Sequence, residues 1–534
     1  MALASVGGFL FGFDNGWWGT ILGSQKFLHD YGSCAIVEGV EICNLSTSQK
    51  SAGSSVQSGG ISEAPQPFDK RVQLTSAPAV IACLFSVYLN NLLGRRLSLI
   101  ITGFVSIVGV LIEITSSAGN GPARFGQFVA GKVIASIAMG LAANIVPIYL
   151  SETSAGERRG FAVTSYQNVM ILGVILASGV VYASSAMSTK AAYWIPIGMQ
   201  LIAPSVMVIG SPFLPESPRW LVWKGRNEEA KAAAQKLFST PFNDFDAADY
   251  VNAIEIAIDS DRAHEMASSW RDLFRGPDLR RLLIAVGIQS LQQAQGSSYM
   301  NNYVVSFLQS TGVTNVFPVI MGLYTLYYFA ILTGHFLPDM VGRRPILMST
   351  GAFCATCLIT VSALVVAYSN PPEAAQKASI ALIFLWQIGF GIQSPLIWIV
   401  TAESAPTRNR EKVQAIAVFL GFGVSLLIAS VSPYLQDAGY GNLGGKIGFI
   451  WGAFSVVTVV WVFFMVPEMR GFTIEQLDFL FNTRIPTRKF AGYSFATSEG
   501  EAVFGSAEDV QEELGEDDVK AAVVATHKAV KRAL

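Results

Sequence analysis

The chain has 534 residues, of which 51% are apolar and only 14% charged, with a net charge of -2 at neutral pH. A soluble domain carries about 25% charged residues, so this surface is not built for water, while the apolar content excludes disorder. Five cysteines are too few for a disulfide scaffold, and a near-neutral chain offers no basic field for nucleic acid, which leaves a chain that crosses a membrane many times.

A bilayer core of ~30 Å takes roughly 20 apolar residues of helix to cross. Twelve such stretches run along the chain, at 2–23, 72–93, 97–117, 125–149, 161–185, 193–213, 282–308, 316–338, 346–368, 379–402, 414–435 and 447–466. Their backbone groups must be bonded within each segment, which makes them helices. Barrel strands would show alternation over ~10 residues instead.

Span one carries Asp14, Trp17-Trp18 and a stripe of small residues, Gly8, Gly12 and Gly16. Asp14 and the tryptophans do not suit the core of a cleaved leader. The stripe allows either close helix packing or a bend around a ligand. The loop from 24 to 71 is polar and rich in Ser and Gly. It holds Cys34, Cys43 and the N-glycosylation sequence Asn44-Leu45-Ser46. On an oxidising exterior face the two cysteines would form a disulfide. The alternative is two thiols and a chance sequon. Cys83, Cys354 and Cys357 lie in spans and read as packing residues.

Gly94-Arg95-Arg96 follows span two and Glu113 lies near the end of span three. Lys132 sits in span four, which runs out at Glu152 before Arg158 and Arg159. The stretch Gly126 to Val133 matches a phosphate-binding loop except that Val133 replaces the magnesium-binding hydroxyl. It is read as membrane helix. The segment 214–281, with Glu228, Glu229 and Lys231, reads as amphipathic helices. Gly342-Arg343-Arg344 follows span eight and Glu403 ends span ten. His335 and Asp339 stand four apart near the end of span eight, but four histidines in the whole chain form no ligand cluster. No metal site and no nucleophile-base constellation appears. The acidic run 508–518 in the last segment reads as a solvated tail.

The loops after spans two, four, eight and ten hold the paired arginines, whereas the opposite loops hold single cations, Arg124, Lys190, Lys377 and Lys446. The positive-inside rule places the arginine loops and both termini in the cytosol. The recurrence of Gly-Arg-Arg six spans apart marks two parallel repeats. The expected organisation is a six-helix bundle at 1–213, a cytosolic linker at 214–281, a second bundle at 282–467 and a cytosolic tail at 468–534. The substrate site is expected between the bundles near mid-membrane.

A charge at mid-membrane costs ~3 kcal/mol or more. Glu113 is expected to snorkel to the interface. Asp14 is too short to do so and must face a cavity or a partner, with Lys132 as that partner. An Asp balanced between burial and a cation can take up and release a proton. Asp14 is therefore the expected proton acceptor and Lys132 the residue that tunes it.

These pieces resemble the sugar porter family of the major facilitator superfamily over nearly the whole chain. The resemblance is carried by Phe11-Gly12-Phe13-Asp14, Gly94-Arg95-Arg96, Pro147 to Glu152 with Arg159-Gly160, and Pro215-Glu216-Ser217-Pro218-Arg219. It continues through Gln292-Gln293 with Gly296, Asp339 to Arg344, Trp398 five residues before Glu403, and Pro467-Glu468 to Glu475. The stretch Leu480 to Phe490 looks most like fungal permeases of the α-glucoside kind. The resemblance implies an all-α membrane protein of twelve helices in two pseudo-symmetric bundles, working by alternating access. It implies sugar binding by Gln167, Gln292 and Gln293, stacking on Trp398, and a cytosolic gate. In that gate Arg95 and Arg96 would meet Glu403, and Arg343 and Arg344 would meet Glu152. Amides suit hydroxyls because they both donate and accept.

The chain also departs from the family. Asn91 and Leu92 stand in place of Asp and Arg, Lys132 in place of Arg, Ile397 in place of Pro. Ser298 and Gly423 stand where hydroxyl-binding Asn residues are expected. These changes point to an altered site in the second half, suited to a larger glycoside, a polyol or a fungal metabolite. The function expected is a proton-coupled carrier of a hexose or α-glucoside, monomeric, in the plasma membrane, with no cofactor beyond the coupling proton. The alternatives are a carrier of a polyol or secondary metabolite and a non-transporting sugar sensor.

Overall fold

A computed structural model describes residues 2–504 apart from 38–39, 59–77, 119–121, 155–158, 240–245, 268–270, 311–312, 314, 369–371, 407–408, 438, 473, 494 and 499–500. Helix α1 (Ala2–Ile21) is followed by α2 (Gln25–Tyr31), the hairpin β1 (Ser33–Val37) and β2 (Val40–Asn44), and α3 (Thr47–Ser58). The first bundle continues with α4 (Pro78–Leu93), α5 (Arg95–Ser116), α6 (Pro122–Glu152), α7 (Arg159–Ser185), and the paired α8 (Ala191–Met199) and α9 (Ile202–Gly210). Three connecting helices follow, α10 (Pro218–Trp223), α11 (Asn227–Phe238) and α12 (Ala247–Ala267). The second bundle comprises α13 (Gly276–Gln292), α14 (Ser298–Ser310), α15 (Val316–Val341), α16 (Arg343–Ala367), α17 (Glu373–Ser404), α18 (Arg410–Gln436) and α19 (Gly448–Met465), with α20 (Ile474–Asn482) beyond it.

The two bundles use the same packing. Helix α1 lies on α7 as α13 lies on α18, α4 on α6 as α15 on α17, α5 on α6 as α16 on α17, and α5 on α9 as α16 on α19. Among the described residues, nine helices are long and apolar enough to cross a membrane. The other three expected spans fall short for local reasons. Helix α1 is diluted by Asp14, Asn15 and its glycines, and only 16 residues of α4 are described. Span seven is broken between α13 and α14 at Gly296, with φ of +102°.

The glycine stripe of α1 serves packing. A Cβ at Gly12 would fall 1.7 Å from the Met170 carbonyl oxygen on α7, so only hydrogen fits there. The helix stays continuous through the stripe. In the connecting segment, Ser217 caps α10 by accepting from Trp220 N–H, with Pro218 in the first turn. Helix α11 buries Ala230, Ala233 and Ala234 and leaves Glu228 and Glu229 exposed, the one-sided pattern of an amphipathic helix.

Where it is described, the polar loop after span one carries regular structure. Cys34 and Cys43 face each other across the hairpin and are disulfide-bonded. Helix α3 wedges between the bundles on this disulfide face. Its Ser54 accepts from Trp18 Nε1 at 2.8 Å, and its Ser51 hydroxyl donates to the Ser430 carbonyl of α18 at 2.9 Å. Thr47 donates to Asp437 at 2.7 Å and Lys50 pairs with Asp437 at 3.2 Å. The serines that made the segment look like coil are the groups that tie it to both bundles. Below it, Tyr182 of α7 stacks on Phe317 of α15.

Candidate transport site

The first cluster lies inside the first bundle. Lys132 of α6 places its Nζ 3.5 Å from Asp14 Oδ1 on α1, and Trp17 Nε1 donates to the same oxygen at 3.1 Å. The Lys132 ammonium also lies 4.9 Å from the Trp17 ring centroid and 5.4 Å from that of Trp18, within cation–π range. Lys132 is 0% exposed and Asp14 5%. Breaking such a buried pair from one side leaves an uncompensated charge, at a cost of about 3–5 kcal/mol.

Glu113 does not snorkel. It is 0% exposed, and Gln200 Nε2 donates to its Oε2 at 3.4 Å. The reason is the close contact of α5 with α6. A Cβ at Gly109 would lie 2.5 Å from Ala135 N, and one at Gly131 would lie 2.7 Å from Glu113 N. Glycines draw the two helices together and turn Glu113 inward, toward Lys132 and Asp14. A narrow cavity lined by Phe13, Asp14, Ser106, Met139 and Gln200 opens beside the cluster.

The second cluster forms at the break in span seven. Ser298 donates to Gln293 Oε1 at 2.6 Å and lies 2.8 Å from the Ser425 hydroxyl of α18. Gln292 Nε2 donates to Ser394 of α17 at 3.4 Å, and the same hydroxyl lies 3.4 Å from that of Tyr327 on α15. Gln292, Gln293 and Ser298 are thus brought together where the helix opens. Trp398 follows Ser394 by four residues on α17, so both share one helix face. The indole is 43% exposed. Gln167 stands half-buried on α7, in the other bundle. A second cavity next to Ser297 is lined by Asn301, Tyr327, Trp386, Gln387 and Phe390. Gly423, two residues before Ser425, lies exposed on a different face of α18 and is not brought to this cluster.

The third feature is a pair of arginine turns. Gly94 and Gly342 have φ of +86° and +109°, which L side chains rarely adopt, and each precedes the first turn of a helix. Glu216 accepts from the backbone N–H of Arg95 at 2.9 Å and of Arg96 at 3.2 Å. Glu468 accepts from those of Arg343 at 2.9 Å and Arg344 at 3.0 Å. A Cβ at Gly94 would stand 2.6 Å from Glu216 Oε2, and one at Gly342 2.7 Å from Glu468 Oε2. Burial pushes the Glu216 carboxyl above its ordinary pKa, against the lowering effect of the N–H groups of Ser217, Arg95 and Arg96.

The arginine side chains then reach back within their own bundles. Arg95 Nε lies 2.8 Å from Glu152 Oε2, and Arg343 lies 2.9 Å from Glu403. Arg344 donates to the Phe463 carbonyl at 2.7 Å. This corrects the expected crossed gate of Arg95 and Arg96 with Glu403 and of Arg343 and Arg344 with Glu152. Each glutamate ends the helix packed beside its own arginine turn, α6 beside α5 and α17 beside α16. Among the described residues, the arginine that each is bonded to is therefore in the same bundle.

A family model described as sugar (and other) transporter matches residues 1–481. The chain belongs to the sugar transporter family of the major facilitator superfamily. It is 30% identical over 419 residues to the high glucose sensor of Saccharomyces cerevisiae, covering 77% of this chain and 54% of the sensor. The chain thus spans about half of that relative. It is 29% identical to a probable glucose transporter of Neurospora crassa over 89% of this chain and 77% of that protein. Among solved structures, the inward-open xylose transporter of E. coli superposes with a TM-score of 0.69 at 21% identity, covering 90% of this chain and 98% of that one. The family is one of membrane transporters, not enzymes, and the chain is a multi-pass membrane protein with the twelve-helix fold.

Several polar groups of this sugar-transporter-family chain are given no role by a reading of its sequence. Glu216 and Glu468 follow spans six and twelve in matching Pro-Glu pairs, so aligning the two halves would have exposed them. Buried amides pair across α17, with Gln393 Nε2 donating to a Gln295 oxygen at 3.0 Å and Gln289 Nε2 to Thr401 at 3.2 Å. The side chains of His335 and Asp339, and residues 505–534 with the acidic run, lie outside the described residues. Asn44 is exposed at the end of β2, beside the disulfide.

Proposed function

We propose that this protein is a proton-coupled sugar carrier of the plasma membrane that works by alternating access between its two bundles. The observation that carries this reading is the buried Asp14–Lys132 pair, opened to a cavity inside a family built for sugar transport. A carboxylate held between desolvation and a cation is poised to bind and release a proton. Gln292, Gln293 and Ser298 at the helix break, with Trp398 on the facing helix and Gln167 opposite, supply hydroxyl-matching amides and an apolar platform.

In this reading the arginine face is cytosolic, as are both termini, and the disulfide face is external. The described state is then closed outside by α3. The paired charges Arg95–Glu152 and Arg343–Glu403, with Arg96 and Arg344, bias the inner gate between its states. A glycan on Asn44 would report sidedness directly. A mobility shift on deglycosylation, lost in Asn44→Gln, supports it, and an unglycosylated protein at the cell surface counts against it.

The test of the function is uptake of labelled glucose, maltose and a polyol panel into yeast lacking hexose uptake, with and without a pH gradient. Gradient-driven accumulation that is lost in Asp14→Asn supports the reading. Normal accumulation by Asp14→Asn would rule out the coupling role. A second reading, transport of a larger glycoside, a polyol or a secondary metabolite, rests on Ser298, a short hydroxyl engaged with Gln293 and Ser425 where the family resemblance expects an amide. Silence on every simple sugar would select the metabolite. Binding without flux would select a sensor.

A further inference from the structure

Two carboxyls and one ammonium are buried together in the first bundle. Glu113 is 0% exposed, and its Oε1 is enclosed without a hydrogen-bond partner. Lys132 and Asp14 both act electrostatically on it from α6 and α1. Among the described residues, the remaining groups facing it supply no compensating charge. Gln200 is neutral, and the Tyr31 hydroxyl lies 2.7 Å from Ser116 Oγ. Helix α4 contains no charged residue. Lys190 turns its ammonium to the Ser117 carbonyl at 2.8 Å, and Arg124 bonds Gln127 near the exposed start of α6.

With both carboxyls ionised the cluster would hold a net negative charge out of water, and an uncompensated buried charge costs several kcal/mol. One bound proton makes it neutral. We propose that Asp14 and Glu113 share a single proton above Lys132, so that Glu113 is a second proton-holding group of this carrier. The proton then belongs to the pair rather than to one residue. The cavity reaches Asp14 directly and Glu113 through Gln200, which gives the proton two ends at which to arrive and leave. When Asp14 takes the proton, Lys132 is freed to turn to Glu113; when Glu113 takes it, the Asp14–Lys132 pair tightens. Coupling is an exchange of partners by one ammonium.

The inference rests on the proton-coupled reading above, and two measurements on full-length carrier keep them apart. Infrared spectra of purified wild type, titrated with pH, report a buried protonated carboxyl. Gradient-driven uptake in liposomes reports coupling. The expected result is a protonated-carboxyl band at neutral pH that moves in Glu113→Asp and disappears in Glu113→Gln. Accumulation should fall by about tenfold in Glu113→Gln with a flattened pH profile, and recover in Glu113→Asp. A wild type with no such band at neutral pH overturns the inference, whether or not the glutamine variant folds. A band and a pH profile indifferent to Glu113→Gln and Glu113→Asp overturn it while leaving symport intact. A wild type whose uptake ignores the gradient, yet whose band responds to Glu113, overturns symport and leaves the shared proton standing.

Discussion

Glu216 and Glu468 hold equivalent places in the two halves, each accepting the backbone N–H groups of an arginine pair at the start of a helix. The two Pro-Glu pairs that follow spans six and twelve are thus one device used twice. It fastens the exit of each bundle's last span to the turn between its second and third.

Glu216 and Glu468 each accept several backbone N–H bonds, so truncating the side chain leaves helix-start donors without their acceptor at both places alike. Glu216→Ala and Glu468→Ala are each expected to destabilise the purified protein by about 2 kcal/mol, read as a lowered melting temperature. Equal losses fit the repeat. A silent variant at either position would refute the shared role.

The arginine side chains predict a pattern of coupling. A double-mutant cycle of Arg343→Gln with Glu403→Gln should give a coupling of about 1 kcal/mol in transport rate or stability, as should Arg95→Gln with Glu152→Gln. The crossed cycle of Arg95 with Glu403 should be additive in the described state. Strong crossed coupling would mean that the pairing exchanges during the cycle.

Much of this was legible in the chain because membrane helices announce themselves. The apolar runs, the arginine pairs and the lone Asp14 follow from what lipid excludes. Three things were not legible. Glu113 looked like an interface residue because hydropathy records depth but not which face of α5 it occupies; Gly109 and Gly131 decide that face. The gate pairs were misassigned because charge complementarity fits either bundle, and only helix adjacency selects Glu152 for Arg95. The segment 47–58 looked like coil because Ser and Gly disfavour an isolated helix. It is held as α3 by contacts with Trp18, Ser430 and Asp437 that no local pattern encodes.

The contacts of α3 predict a latch. Lys50 and Thr47 both engage Asp437, and these bonds must part for the disulfide face to open. Asp437→Asn should favour opening by about 1 kcal/mol, or about fivefold. Ser178 lies beneath, 3.1 Å from the Thr20 hydroxyl. A Ser178→Cys thiol should therefore react about fivefold faster with an impermeant reagent when Asp437→Asn is added. An unchanged rate would show that the latch does not limit opening.

Acid should loosen the same face through a different group. Asp30 at the end of α2 accepts from Lys26 at 2.8 Å and from the Tyr193 hydroxyl at 3.0 Å, and it also meets His29. Burial works to raise its pKa, but the bonds from Lys26, His29 and Tyr193 outweigh it and hold the carboxyl below its ordinary value of 3.8. A lowered folded-state pKa means that the unfolded chain binds the proton more readily. Asp30 therefore adds stability that is complete above the ordinary value and is lost as pH falls through it toward the folded one. The melting temperature of wild type should drop on acidification below about pH 4, and Asp30→Asn should be less stable than wild type at neutral pH while converging with it in acid. Parallel curves across that range would show that α2 is held to Tyr193 by packing alone.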